Sequence, residues 1–344
     1  KKRQTAPGQQ TAQVVEAATE NDRKPAAVVE IPPAKKKGDG KPVAKIPEYP
    51  ACKTVRKPQM ISFDRSVHPG QLVTVAAVGD VLLHDSVQKY AAYNKDGFYS
   101  LMKPVADLIR AADVAFANLE GPAAENINKR GRAVRAPKRR WDKNVYSGYP
   151  MFNYHPSVVM DLKRAGFDVL LTANNHSMDR FAVGADKTVE AIRAAGLRFT
   201  GTKHRDDMSR PWYATTPVVK DGATYNIAWL GCTYGTNGLP DKAGQVLHCY
   251  KQRETVIETV RALAARPDIH AVFLAPHWGS EYQHKPNKKE RDLAREVLDA
   301  GATAVIGTHP HVIQPIEKYR TKDGRETLIA YSLGNFVSNQ IGLP

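Results

Sequence analysis

Residues 167–179, FDVLLTANNHSMD, join an apolar run to a cluster of amide, imidazole and carboxylate side chains. The run at 167–171 predicts a buried strand, so the polar cluster follows the strand's carboxyl end. Open α/β sheets place their ligands at that edge. The side-chain oxygen of Asn174 or Asn175 can ligate a metal, and His176 can serve as a ligand or a proton donor. An Asn-rich turn that caps a helix is the structural alternative.

A second polar cluster lies near the end of the chain. The predicted strand at 304–306 leads into Gly307-Thr308-His309-Pro310-His311. The proline between the two histidines stiffens the turn. The two imidazoles can then ligate two neighbouring metal ions or together ligate one. The two clusters together therefore indicate a metal site more strongly than either does alone.

Other predicted strands also end in polar residues. Asp80 follows a strand at 72–78 and Gly79, whereas Asn118 and Glu120 flank the end of a strand at 114–119. His277 follows a strand at 269–275, and Asn335 follows one at 328–332. His84 and Asp85 are either ligands or surface residues, and their positions favour the surface.

These strand ends are expected to meet. Predicted helices at 101–112, 156–165, 185–195, 254–265 and 289–300 alternate with the strands, a pattern typical of an α/β protein with a largely parallel sheet. The carboxyl ends of parallel strands lie on one edge, where we expect a single crevice. Carboxylates, an amide and imidazoles without a thiolate suit Mn, Fe or Zn. The predicted site residues are Asp80, Glu120, Asn175, His176, His277, His309 and His311.

The chain is strongly basic. Its formal charge is +15, which indicates an anionic partner, and no nucleic-acid-binding motif accompanies it, so we expect no specific nucleic acid. A loop at 129–143 carries eight Lys and Arg against one Asp. It is either a solvated surface loop or a rim that attracts a polyanion. Candidate substrate-binding residues are Arg135, Arg139 and Arg140 in this loop, with Asn118, Asn174 and Asn335 at the strand ends.

The N-terminal segment differs from the rest in composition. Residues 1–60 are rich in Pro, Lys and Ala and lack apolar periodicity, which predicts a disordered linker or tether before a domain at 61–344. We expect a signal or anchor upstream of residue 1 and a domain truncated at its C-terminus. No apolar run in the sequence is long enough to span a membrane. Cys232 and Cys249 either pair in an oxidising compartment or remain buried thiols.

A series of motifs in this order resembles a known family. The motifs are GD, NLEGP, GFDVLLTANNHSMD, TYGTNG, APHWGSEY, GTHPHVIQPIE and YSLGNF, over about residues 72–336. The series resembles the CapA-type capsule-biosynthesis family, also called poly-gamma-glutamate synthesis proteins, which belongs with the calcineurin-like metallophosphoesterases. Each motif is weak evidence by itself, whereas the ordered series is specific.

The resemblance implies a four-layer α/β/β/α sandwich with two divalent metal ions at one edge. Asp80 and His311 would hold one ion, and Asn175, His277 and His309 would hold the other. Glu120 would bridge them at a position where the superfamily has Asp, and His176 would be the proton donor. The superfamily's first motif is Asp-x-His, whereas this chain has Asp80 followed by histidine only at position 84, which leaves the first ion's ligand set open.

Two functions follow from this resemblance. One is an extracytoplasmic, metal-dependent hydrolase of the phosphoesterase kind, acting in capsule or poly-gamma-glutamate biosynthesis or export. The other is a non-catalytic, polyanion-binding component of a membrane-bound capsule polymer synthesis complex. The partners expected are an anionic polymer or a phosphoester substrate.

Overall fold

The computed structural model describes residues 61–63 and 72–340. The strands are β1 Val75–Val81, β2 Val114–Leu119, β3 Val169–Leu171, β4 Arg198–Thr200, β5 Tyr213–Lys220, β6 Ala223–Thr233, β7 Ala271–His277, β8 Ala304–Ile306, β9 Ile316–Arg320, β10 Glu326–Ala330 and β11 Asn335–Val337. The α-helices are α1 Asp85–Tyr93, α2 Tyr99–Met102, α3 Ala106–Arg110, α4 Ser157–Ala165, α5 Phe181–Ala194, α6 Arg253–Ala264 and α7 Lys288–Asp299. The linker predicted at 1–60 lies outside the described residues.

The strands form two sheets. The first has the order β11-β1-β2-β3-β4, and all its neighbours pair in parallel. The second has the order β5-β6-β7-β8-β10-β9, with parallel pairing in the centre and antiparallel strands β5 and β9 at its edges. The carboxyl ends of the parallel strands in each sheet therefore share an edge.

Alternation along the central strands produces the layers, because successive side chains of a strand point to opposite faces. In β2, Phe116 faces the core between the sheets, whereas its neighbours Ala115 and Ala117 face a separate core under α4 and α5. In β6, Trp229 likewise points to the core between the sheets. The rings of Phe116 and Trp229 stack at 5.1 Å. This contact joins the two sheets face to face.

Helices cover the outer face of each sheet. Helices α1 to α5 pack on the first sheet, and α4 buries Val158, Val159 and Leu162 there. Helices α6 and α7 pack on the second sheet. Helix α7 begins with a capping box between Asn287 and Glu290, which pairs backbone N–H groups at its first turn. The result is a four-layer α/β/β/α sandwich, as the resemblance implies.

The predicted elements are largely confirmed, with several differences. The helix predicted at 101–112 is broken into α2, a 3-10 turn and α3, since Pro104 cannot donate to a continuous helix. Helix α5 begins at Phe181 rather than near residue 185. Helix α1 and strands β5, β9 and β11 were not predicted. The strand predicted at 72–78 lies at Val75–Val81, so Asp80 is inside β1 rather than beyond it.

Gly79 allows β1 to approach the neighbouring turn. A Cβ at this position would lie 1.8 Å from the carbonyl oxygen of Gly334, which no side chain can tolerate. The pairing of β1 with β2 shifts register between Ala77 and Asp80. The N–H of Asp80 donates to the oxygen of Gly334 at 2.9 Å. The glycine thus places the Asp80 carboxylate at the edge between the sheets.

Cys232 and Cys249 form a disulfide with a sequence separation of 17. The bond holds the segment after β6 beside the strand, where the N–H of Cys249 donates to the oxygen of Thr233 at 2.8 Å. Of the two alternatives for these cysteines, the structure has the disulfide.

No helix of the described part of the chain is long and apolar enough to cross a bilayer.

Candidate metal centre

Both sheets contribute polar side chains to one buried cluster. From the first sheet come Asp80 in β1, Asn118 and Glu120 at the end of β2, and Asn174 and Asn175 after β3. The second sheet contributes His277, the last residue of β7, together with His309 and His311 after β8. The sequence predicts that these residues lie at one edge of a single sheet. In the structure they meet where the edges of two sheets adjoin.

Glu120 lies at the centre of the cluster. One ligand atom each of Glu120, His309 and His311 lies within 4.8 Å of the others, and the same holds for Asp80, Glu120 and His277. Oε1 of Glu120 is 3.6 Å from Nε2 of His277 and 3.8 Å from Nε2 of His311. Neither carboxylate oxygen of this buried residue has a hydrogen-bond partner among the described residues. Glu120 is thus the residue that both groups share.

Asp80 connects the two sheets. Its Oδ2 lies 3.1 Å from Nδ1 of His311, and its Oδ1 accepts a hydrogen bond from Asn118 Nδ2 at 2.8 Å. The side chain of Asn335 also approaches His311, with Oδ1 at 3.1 Å from Nδ1. Three strands, β1, β2 and β11, thereby orient one imidazole and one carboxylate.

An amide network orients His277. Its Nδ1 lies 3.2 Å from Asn118 Nδ2 and 3.1 Å from the hydroxyl of Thr308, while its Nε2 lies 2.9 Å from Asn175 Oδ1. Asn174 donates to the carbonyl of Leu119 at 2.8 Å. Asn118 and Asn174, which the sequence suggests for substrate binding, are fully buried and hold other site residues in place.

Burial determines the protonation of the cluster. It lowers the pKa of His309 to about 3, and the neighbouring His311 lowers it further in the same direction. Burial, followed by the adjacent His309, lowers the pKa of His277 well below its ordinary value. Burial and then the nearby Asp80 raise the pKa of Glu120. Neutral imidazoles are the ligand form of histidine, and two buried carboxylates need a compensating cation.

Buried atoms without hydrogen-bond partners also indicate that this set of ligand atoms fits divalent cations. Nδ1 of His309 also lacks a hydrogen-bond partner among the described residues, so it joins the Glu120 oxygens as an unsatisfied buried group. Buried polar atoms are otherwise almost always paired. The assignment of particular residues to a first and a second ion remains a prediction.

The turn that carries the two histidines adopts unusual backbone angles. His309 has φ of 99° and His311 has φ of 60°, a region that side-chain-bearing residues seldom occupy. Such conformations cluster at functional sites, where the surrounding structure imposes them. Here they direct both imidazoles into the cluster from one short segment.

His176 lies beside the cluster and has a partner that the sequence analysis did not identify. Its Nδ1 is 2.8 Å from Oδ2 of Asp179, three residues later on the same turn. The same carboxylate oxygen accepts the N–H of Phe152 at 2.6 Å, and the ring of Phe152 packs edge-on against the imidazole at 4.7 Å. The quoted motif contains Asp179, but its spacing does not specify this contact.

Two tyrosines beside the histidines of the cluster are not among the site residues predicted from the sequence. Tyr234 packs its ring 4.6 Å from that of His309, and its N–H donates to the oxygen of His277 at 2.9 Å. Its loop is the one held by the disulfide. The ring of Tyr282 lies 6.0 Å from that of His311. The sequence contains one indication of Tyr234, its position in a Gly-rich loop. This feature is too common to identify a site residue.

Two expectations about positions near the site need adjustment. His84, which the sequence favours as a surface residue, is partly buried, and its ring contacts Phe152 at 5.3 Å. Asp85 has a structural contact, since its Oδ1 accepts from Trp141 Nε1 at 3.0 Å and from the N–H of Gly148 at 2.8 Å. The arginines Arg135, Arg139 and Arg140 are exposed on the basic loop and do not enter the cluster.

Comparison with known proteins identifies the family. The sequence model of the bacterial capsule synthesis protein PGA_cap matches residues 74–340. The chain is 30% identical to the PGA biosynthesis protein CapA of Bacillus subtilis over 275 residues, covering 78% of this chain and 64% of that protein. It is 28% identical to the capsule biosynthesis protein CapA of Bacillus anthracis over 276 residues, covering 78% and 60%. The chain thus spans just under two thirds of these relatives.

A hypothetical protein of Thermus thermophilus aligns structurally over 76% of each chain, with 17% identity and a TM-score of 0.41. The layers and the buried cluster at the strand ends define the class: a four-layer α/β/β/α sandwich with residues that could hold metal ions. Within that class, the chain belongs to the bacterial capsule synthesis protein PGA_cap family.

Proposed function

We propose that the protein is a metal-dependent hydrolase of the phosphoesterase kind that acts in capsule or poly-gamma-glutamate biosynthesis or export. The observation that carries the proposal is Glu120, which is buried, belongs to both groups of candidate metal ligands, and has no hydrogen-bond partner for either carboxylate oxygen among the described residues. A protein that folds around such a residue gains from cations that neutralise it.

Two divalent ions, Mn, Fe or Zn, suit this donor set of carboxylate, amide and imidazole groups. Asp80, Glu120, Asn175, His277, His309 and His311 would hold them. When bound, the ions supply Lewis acidity that stabilises charge developing on a phosphoryl group and activates water. Asn118 and Thr308 orient the ligand side chains through their contacts with Asp80 and His277.

His176 is suited to transfer a proton. The Asp179 contact at Nδ1 orients the ring, so Nε2 is the nitrogen that would serve a substrate oxygen. Phe152 covers the imidazole and limits the water around it. In this assignment Asp179 is a positioning residue, and His176 donates the proton to the leaving group.

An extracytoplasmic, envelope-associated location belongs to the same proposal. The disulfide between Cys232 and Cys249 supports it, since such bonds persist in oxidising compartments. The names of the relatives, both of which refer to capsule or PGA biosynthesis, are in keeping with this location.

A second candidate function is a non-catalytic polymer-binding component of a membrane-bound synthesis complex. The loop at 129–143 favours it, with eight cationic side chains that are all exposed. In that case the metal cluster would organise the edge of the sheets rather than perform hydrolysis.

Metal analysis of the full chain, combined with turnover of a model phosphodiester, tests both candidates. We expect about two equivalents of Mn, Fe or Zn in the wild type, loss of most of the metal in the His309→Ala, His311→Ala double variant, and turnover only in metal-loaded protein. The His176→Ala variant should keep its metal and lose turnover. Metal without turnover of any phosphoester favours the second candidate, and absence of metal after incubation with these ions contradicts the hydrolase.

A further inference from the structure

The outer edge of the metal centre carries uncharged polar side chains and one carboxylate. Tyr234 packs beside His309, with ring centroids 4.6 Å apart, and Tyr282 lies beside His311 at 6.0 Å. Both tyrosines are partly exposed, whereas the two histidines are buried. A molecule that approaches the histidines from solvent therefore meets the outer side chains first. We call these outer residues the rim, which consists of Tyr234, Glu281, Tyr282, Asn335 and Gln340.

Backbone hydrogen bonds hold Glu281 at the rim. The N–H of Trp278 donates to the oxygen of Thr308 at 3.1 Å, and the N–H of Tyr282 donates to the oxygen of Pro310 at 2.8 Å. The intervening residues therefore run beside the turn after β8, which carries two of the candidate metal ligands. Tyr282 has φ of 63°, a backbone conformation that the surrounding structure imposes. Glu281 lies between these two contacts and is exposed.

The charge of Glu281 acts on groups at several positions around the cluster. Burial and then Glu281 raise the pKa of Tyr234 to about 12. Burial and then Glu281 also raise the pKa of Tyr282. For Glu120, burial, the nearby Asp80 and then Glu281 raise the pKa. Because Coulomb interactions weaken with distance, the Glu281 carboxylate lies close to the groups that would hold the ions.

The other rim residues form an uncharged network. Nε2 of Gln340 donates to the hydroxyl of Tyr282 at 3.0 Å. Nδ2 of Asn335 donates to Oε1 of Gln340 at 2.6 Å, and Oδ1 of Asn335 lies 3.1 Å from Nδ1 of His311. With their raised pKa values, the hydroxyls of Tyr234 and Tyr282 remain protonated at neutral pH. The rim therefore offers amide and hydroxyl groups beside the carboxylate of one glutamate.

No lysine or arginine of the described residues contacts the carboxylates of this site. Neither Asp80, Glu120 nor Glu281 forms a hydrogen bond or an ion pair with such a side chain. Arg180 is buried, and its guanidinium donates to the carbonyl oxygen of Met151 at 3.1 Å, so it is used in holding the loop before α4. Binding sites for a phosphate dianion ordinarily pair its charge with arginine or lysine. The described part of this chain provides no such partner at the metal centre.

We infer that Glu281 restricts the metal centre to phosphoester groups with a single negative charge, so that the substrate is a phosphodiester and not a phosphomonoester. The inference rests on the proposed hydrolase. A monoester has a second ionisation with a pKa of about 6 and is a dianion at pH 8, whereas a diester keeps one charge. Repulsion by a fixed carboxylate is proportional to the charge of the substrate, so it disfavours the dianion twice as strongly. The second ester substituent has the uncharged rings of Tyr234 and Tyr282 to pack against.

The same repulsion acts on the product. In the hydrolysis of a diester, water adds to phosphorus, the bond to the leaving oxygen breaks, and that oxygen takes up one proton of the water. The products are an alcohol and a monoester, which becomes a dianion when it releases the other proton. Glu281 therefore favours release of the monoester, and the reaction stops after one ester bond.

Two esters with the same leaving group test the inference in the full, metal-loaded chain at pH 8. Methyl p-nitrophenyl phosphate carries one charge and p-nitrophenyl phosphate carries two. We expect Glu281→Gln to raise kcat/KM by about threefold for the diester and about tenfold for the monoester, because the removed repulsion scales with charge. Higher salt should reduce both effects. The matched control Glu258→Gln removes an exposed carboxylate from α6 and should leave both values within about twofold of the wild type.

Calorimetric titration with inorganic phosphate and with dimethyl phosphate measures binding without turnover. We expect Glu281→Gln to bind phosphate about tenfold more tightly than the wild type does, and dimethyl phosphate about threefold more tightly. Elemental analysis of the same preparations should give an unchanged metal content.

Three outcomes contradict the inference. Equal changes for the two esters, or no change for either, would overturn it and leave the hydrolase in place, since turnover itself persists. Loss of metal in Glu281→Gln would also overturn it, because Glu281 would then be a ligand rather than a repulsive group. Absence of turnover of both esters by the metal-loaded wild type would reject the hydrolase and the inference together.

Discussion

Nδ1 of His176 lies 2.8 Å from Oδ2 of Asp179, and both side chains are buried at the edge of the metal centre. Asp179→Asn replaces the carboxylate that orients the imidazole while it preserves the shape of the side chain. We expect kcat on a phosphodiester to fall by about tenfold to a thousandfold, with metal content unchanged. Steady-state kinetics and elemental analysis check this. If kcat is unaffected while KM rises, Asp179 contributes only to substrate binding.

Burial of Glu120 lowers the free energy of unfolding of the metal-free protein. The residue is buried, unsatisfied among the described residues and close to Asp80. Glu120→Gln removes an ionisable group whose pKa is raised by burial, without changing its volume, so we expect a free energy of unfolding at pH 7, with chelator present, that is higher by about 1 kcal/mol or more. Metal binding should fall at the same time. Denaturant titration and elemental analysis check both results. A variant that is less stable without metal would mean that the carboxyl group of Glu120 is already well accommodated in the metal-free protein.

Asp113 joins the two sheets at the end opposite the metal centre. Burial alone would raise its pKa, but hydrogen bonds from Thr74 and the ion pair with Lys220 outweigh this effect and hold the pKa at about 2. A lowered pKa contributes stability above the unfolded value of roughly 4, and that contribution is lost as pH falls towards 2. Because both side chains are partly exposed, we expect about 1 kcal/mol.

The Asp113→Asn variant should therefore be less stable than the wild type at pH 7, and the difference should shrink between pH 4 and pH 2. Urea unfolding across this range measures it. The matched control is Asp107→Asn, which removes a carboxylate that is 97% exposed and should have no measurable effect. A difference that is independent of pH would assign the stability to something other than this carboxylate's charge.

The disulfide fixes the loop that carries Tyr234. With a separation of 17 residues, the bond is expected to stabilise the fold by about 2–4 kcal/mol. We expect the Cys232→Ser, Cys249→Ser variant to lose this stability and to bind metal more weakly, since Tyr234 packs on His309. Thiol titration of the unfolded chain before and after reduction should detect two additional thiols after reduction, those of Cys232 and Cys249. Three free thiols in protein recovered from an oxidising compartment would contradict the pairing.

Much of the site could be predicted from strand ends. Glu120, Asn175 and His309 follow apolar runs that form strands in the structure, because buried parallel strands have continuous apolar sequences. Strand β5 was missed because Pro217 disfavours a strand interior, yet β5 lies at an edge of its sheet, where a missing N–H is tolerated. Strand β9 is short and alternates partly buried with exposed residues, so its apolar signal is weak.

The sequence by itself determined which side chains stand at strand ends and that their chemistry suits metal ions, because both depend on local apolar pattern and residue type. It did not determine which sheet each strand joins. Asp80 and His311 lie 231 positions apart and meet only because Phe116 and Trp229 pack the two sheets face to face. The hydrogen bond from the N–H of Phe152 to Asp179 was likewise decided by tertiary packing, since the two residues lie 27 positions apart and meet only in the folded chain.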